Sequence, residues 1–173
     1  MLKRPDFPHV FDSTMISALR SCQTKMYYQY MQHYKSNYES IHLHAGAAFA
    51  KGLEVARESF YVQGEDREVA ESKGLHALLI AYGDFEPPEG SAKSLDRMLG
   101  AYEFFMNQYP LGDCGYEPIK FSDGKHGIEF SFAEPLEIDH PTTGEPLLFC
   151  GRADMIGEFA DGIFLEDDKT TSS

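Results

Sequence analysis

The tightest constraint on this chain is the dipeptide Asp161-Gly162, set between Leu147-Leu148-Phe149 on one side and Ile163-Phe164-Leu165 on the other. Asp-Gly between two strand-forming runs is a strong local signal for a two-residue hairpin turn. With those residues as the turn, Ala160 faces Ile163, and counting outward puts Asp154 opposite Lys169. Directly paired residues share a face of an antiparallel pair, as do residues two apart on one strand. Asp154, Asp167 and Lys169 are therefore expected on one face, with Glu166 and Asp168 on the other. Asp154 is then diagonal to Asp167, roughly 7–8 Å away at the backbone, close enough for two carboxylates to share one cation.

Two carboxylates held on one face repel, and a hard divalent cation removes that conflict. Mg²⁺ or Mn²⁺ suits such a place, because Mg²⁺ takes one or two protein carboxylates and keeps the rest of its shell for water and phosphate oxygens. A lysine beside the metal can position a water or stabilise charge developing on phosphate. The chemistry this implies is metal-assisted phosphodiester hydrolysis. The plain alternative is a solvated hairpin with an Asp154–Lys169 surface pair worth about 0–1 kcal/mol. The apolar flanks argue against it, since charges at the end of a buried strand pair need partners or a metal.

The order Gly151-Arg152-Ala153-Asp154, a hairpin, then Asp167-Asp168-Lys169-Thr170 resembles motifs II and III of the PD-(D/E)XK nuclease superfamily. The branch it resembles is that of the RecB-like and Cas4-like exonucleases, including phage-encoded ones. Ser13 through Tyr30 resembles the opening helical segment of that branch, in which a Cys precedes a tyrosine-rich turn. Gly46 through Glu54 resembles its motif I helix, with Ala50 where the family carries a histidine.

The resemblance implies a Mg²⁺- or Mn²⁺-dependent deoxyribonuclease acting in DNA processing, repair or recombination. Asp154 and Asp167 would hold the metal with Glu54 and the Asp168 backbone carbonyl, and Lys169 would act on the water or the phosphate. The alternative for Glu54 is a solvated helix glutamate beside Lys51 and Arg57. A catalytically inactive DNA-end-binding or scaffolding module that keeps the fold is the rival function. The superfamily core continues with a helix and a strand beyond the hairpin. Because Ser173 follows Lys169 so closely, those elements are expected from a further segment or a partner chain that completes the sheet. Iron–sulfur members bind their cluster through one N-terminal cysteine and a C-terminal trio. Cys22 matches the first and no trio follows, so no cluster is expected and Cys22 reads as a buried helix cysteine.

At 173 residues the chain suits one domain, residues 1–173, mostly helical over 1–115 and a sheet over 116–173. The expected fold class is α+β with a restriction-endonuclease-like core: helices first, then three mainly antiparallel strands carrying the hairpin. Met1-Leu2-Lys3-Arg4 runs into Pro5-Asp6 rather than an apolar stretch, and three unpatterned cysteines fit a reducing compartment. A cytoplasmic protein without membrane association is expected. A net charge of −13 argues against a nonspecific nucleic-acid coat, so any DNA contact must be local. Lys3, Arg4, Arg20, Lys25, Lys35 and Arg152 are the candidates, each with a solvated surface charge as its alternative.

Ser13 is expected to cap a helix reaching Tyr30 or Tyr34, and its Tyr27, Tyr28 and Tyr30 either stack on bases or belong to the core. Ile41–Ala45 reads as a connector holding His42 and His44. Further helices are expected over 46–61, 67–82 and from Ser94 to Pro110. From 127 to 136 the pattern alternates, with Ile128, Phe130 and Phe132 on one face. Glu129 lies on the other, either facing the metal site or forming the polar face of a half-exposed strand. Residues 139–144 read as a hairpin loop.

Overall fold

A computed structural model describes residues 7–160 and 162–170. Its elements, in chain order, are β1 (Val10–Phe11), α1 (Ser13–Ser21), α2 (Gln23–Met26), α3 (Ile41–Arg57), α4 (Arg67–Tyr82), α5 (Leu95–Gln108), β2 (Glu117–Pro118), β3 (Ile128–Asp139), β4 (Pro146–Phe159) and β5 (Gly162–Glu166). The class is α+β with a five-stranded mixed sheet in which β4 pairs with every other strand. Three strands were expected. The two extra ones, β1 and β2, are two residues long, too short for a period-two pattern to register. β1 runs parallel to β4, while β2 and β5 run antiparallel to it.

The contacts divide the chain into two compact units, residues 1–38 with 131–152 and residues 39–130 with 153–173. In the first unit, Phe11, Met26 and Leu147 form a small core, with Met15, Ile16, Tyr30 and Leu136 packed against it. Asp12, rather than Ser13, caps α1 by accepting the Met15 N–H at 2.7 Å. The expected continuous first helix breaks at Cys22, whose extended backbone (φ −161°, ψ 109°) separates α1 from α2. Cys22 is exposed there rather than buried in a helix. A π-helical turn, Tyr27–Met31, follows α2.

In the second unit, α3 buries Ala45, Ala48, Phe49, Gly52, Leu53, Ala56 and Arg57, a stripe spaced three and four residues apart. Residues 41–45 belong to this helix and are not a connector, so His42 and His44 diverge by about two hundred degrees around its axis. His44 instead joins the Glu39 carboxylate at 2.9 Å and the Tyr82 carbonyl at 2.8 Å. Helix α3 lies close to α4 because a glycine stands on each. A methyl group on Gly74 would sit 2.6 Å from the Gly52 carbonyl and 2.1 Å from the Tyr102 hydroxyl. No helix among the described residues is long and apolar enough to cross a membrane.

Candidate functional site

The hairpin forms with a register two residues away from the expected one. Phe159 pairs with Gly162, so Gly162 belongs to β5 rather than to the turn, and Ala160 takes φ 49°; Asp161, the other expected turn residue, lies outside the described residues. The cause is side-chain volume. Gly157 pairs directly with Phe164, whose ring crosses the space a side chain on Gly157 would fill, within 2.5 Å of that missing Cβ. The same ring meets Tyr116 edge-on at 5.3 Å. An even shift keeps every side chain on its expected face and changes only its partner across the ladder. The last ladder pair is Met155–Glu166, so the count that would set Asp154 against Lys169 does not hold; beyond Glu166 the strand ends.

On the face that carries buried Met155, Glu166 and Asp168 meet Arg57 of α3. The Arg57 Nη1 donates to Asp168 at 2.8 Å and Nη2 to Glu166 at 2.5 Å. Arg57 is only 5% exposed, and its basicity is raised: burial opposes its charge, but the two carboxylates outweigh that. The Glu166 carboxyl titrates higher than usual, chiefly through burial, with the Asp168 charge adding to it and Arg57 opposing. Two acids share one guanidinium, so the cluster is short of positive charge.

Asp154 reaches the hairpin's end differently, by accepting the Asp168 backbone N–H at 2.7 Å. Its carboxyl is also pushed up, first by burial and then by the charges of Asp168 and Asp167, against the pull of that hydrogen bond and of Lys169. Lys169 donates to Asp167 at 2.5 Å, and both side chains are well exposed. The Asp167 bond raises the basicity of Lys169. The N-terminal half of α3 also comes in: a methyl group on Gly46 would lie 3.7 Å from the Thr170 hydroxyl.

Of the other expected residues, half-buried Glu54 pairs with Lys51 at 2.9 Å on its own helix. Glu129 lies in β3 with φ 51°, a left-handed backbone that interrupts the expected alternation there. Arg152 is exposed on β4, and Arg20 and Lys25 are exposed in the first unit. Lys3 and Arg4 fall outside the described residues.

Comparison with protein-family models, curated proteins and solved structures found no match. The site therefore rests on its own chemistry. Among the described residues, no group of three or more His, Cys, Asp and Glu side chains is gathered to hold a metal. Asp154 is partly desolvated and lies among the like charges of Asp168 and Asp167, which a neighbouring cation would relieve.

Two contributors escaped the sequence reading. Arg57 was a surface neighbour of Glu54 there, yet it falls four residues after Leu53, on the apolar stripe, and that position was the available signal. Lys93, 3% exposed, donates to the Thr170 carbonyl at 2.8 Å and so ties down the segment after β5. Its basicity is lowered by burial. It sits in an irregular stretch between α4 and α5, where no periodicity marks it.

Proposed function

We propose that this chain carries the metal-binding hairpin of a divalent-cation-dependent DNA nuclease of the PD-(D/E)XK type. The observation that supports it most is the Asp154 carboxylate, half-buried, held by the Asp168 N–H and crowded by Asp167 and Asp168. Asp154 and Asp167 would hold Mg²⁺ or Mn²⁺, which when bound supplies charge neutralisation at the scissile phosphate and a more acidic water. Lys169, exposed beside Asp167, would donate to a phosphate oxygen and neutralise its charge, or orient water. Arg57 fixes the strand end on α3 through Asp168 and Glu166, so that the Asp168 N–H meets Asp154. Arg57 is a positioning residue.

The test is cleavage of end-labelled linear DNA in Mn²⁺ or Mg²⁺, alongside a calorimetric titration of the metal. Asp154→Asn keeps an acceptor for the Asp168 N–H, so the variant should fold while losing saturable metal binding and cleavage. Cleavage that survives both Asp154→Asn and Lys169→Ala would end the assignment of the chemistry to this hairpin, and no cleavage by the parent in either metal would end the nuclease reading. The second reading, a DNA-binding module without turnover, is favoured by Ala50 in place of the motif I histidine. Metal binding without cleavage would select it.

A further inference from the structure

The first unit contains a groove of about 860 Å³ lined by Tyr28, Tyr30, Tyr34, Lys25, His33 and Lys35 together with smaller and neutral residues, none of them acidic. Its volume falls within the range of ligand clefts. The rings at its mouth are unusually open: Tyr28 is 52% exposed and Tyr34 is 66% exposed. They stand edge-to-face, Tyr27 on Tyr28 at 5.3 Å and Tyr28 on Tyr34 at 5.8 Å, so the rings are held against one another while much of their surface stays open.

The backbone builds this arrangement on purpose-shaped, irregular geometry. The π-helical turn over Tyr27–Met31 widens the helix end, and His33 takes φ 57°. That reversal lets the Tyr34 N–H reach the Tyr28 carbonyl at 3.0 Å and sets the two rings together. Left-handed backbone at a non-glycine residue costs roughly 1–2 kcal/mol, and such outliers cluster at ligand clamps.

Charge points to the occupant. From Ser13 to Tyr38 the chain holds Arg20, Lys25 and Lys35 and no Asp or Glu, within a protein of net charge −13. The nearest preceding carboxylate, Asp12, is committed to capping α1. Cations interleaved with open aromatic rings fit a ligand with alternating anionic and flat, stackable groups. That is a strand of nucleotides with free bases; in a duplex the base faces are already stacked.

We infer that this groove binds single-stranded DNA, with Tyr28 and Tyr34 stacking on bases and Lys25 and Lys35 on phosphates. The choice of DNA rests on the proposed nuclease function. The groove itself needs no metal, so it is tested apart from the hairpin. Fluorescence anisotropy of a labelled oligothymidylate about 12 nucleotides long, within the span one small fold contacts, is measured in EDTA.

Tyr28→Ala and Tyr34→Ala should each weaken binding by about tenfold or more, while the Phe variants retain it. Lys25→Gln should lower the slope of log affinity against log salt by about 0.7. Both tyrosines are exposed, and thermal melts check that the variants fold. Unchanged affinity in both Ala variants, equal loss in the Phe variants, or tighter binding of the matching duplex or RNA would overturn the proposal. Because EDTA removes the metal, cleavage lost in Asp154→Asn with the groove still binding, or the reverse, tells the two readings apart.

Discussion

Arg57 holds more of the site than any residue named for chemistry. It is the one cation bonded to both Glu166 and Asp168 among their described partners, and it is nearly enclosed. Removing one partner of a buried ion pair leaves the other charge desolvated, which costs more than the pair itself contributes. Arg57→Met keeps an apolar stem but strands two carboxylates. It should lower unfolding stability by about 3 kcal/mol in urea titrations near neutral pH. The deficit should shrink in acid, where both carboxylates can take protons. Arg57→Lys should rescue only partly, since a single ammonium cannot present the two nitrogens that now reach separate acids. A midpoint equal to the parent's would mean that the cluster is open to water and contributes little.

Among the elements, α3 is the organiser. One stripe of it packs the helical core and delivers Arg57 to the strand end, while Gly46 beside that stripe approaches Thr170. Its closeness to α4 depends on Gly52 and Gly74. Gly74→Ala would press a methyl into the Gly52 carbonyl, the Ala56 Cβ at 2.8 Å and the Tyr102 hydroxyl, which already donates to the Glu71 carbonyl at 3.0 Å. Two of those three contacts are backbone or Cβ atoms that cannot swing away. Overpacking of this kind costs about 1–3 kcal/mol, against the roughly 1 kcal/mol that alanine gains over glycine in helix propensity. The expected outcome is a thermal midpoint lower by about 2–8 °C. A midpoint that rises would show that the helices can slide apart at no cost.

For the molecule as a whole, the response to pH near neutrality should come from His44. Burial disfavours its charge, but the Glu39 hydrogen bond and the Tyr82 carbonyl more than offset that, and its pKa lies above the ordinary histidine value. Both ring nitrogens face acceptors, so the imidazolium satisfies the site better than the neutral ring. A pKa raised on folding contributes stability that is complete below the unfolded value and disappears as pH rises through the folded one. Stability should therefore fall from mildly acidic to mildly alkaline pH, and His44→Gln should flatten that fall in urea titrations run across the range. Asp154 and Glu166 are shifted in the same sense, but their windows lie lower, near the carboxylate range. A slope unchanged in His44→Gln would assign the effect elsewhere.

Much of this architecture follows from signals that act within a turn or two of chain. The helix over residues 67–82 was legible to its ends, α5 to within two residues, and the buried Phe49, Leu53 and Ala56 came from spacing alone. The α+β order and the faces of the hairpin were equally readable, because an alternating pattern survives an even shift of register. The partners of the charges were not. Arg57 and Asp168 are 111 residues apart, and nothing local says that they meet. The register that pairs Gly157 with Phe164 depended on where a phenylalanine ring could lie over a glycine, and the extended backbone at Cys22 carries no local sequence signal. Local propensity chooses the elements and their faces; only close packing in three dimensions chooses which carboxylate a guanidinium or a lysine neutralises, since that choice is made by side-chain volume and burial across the sheet.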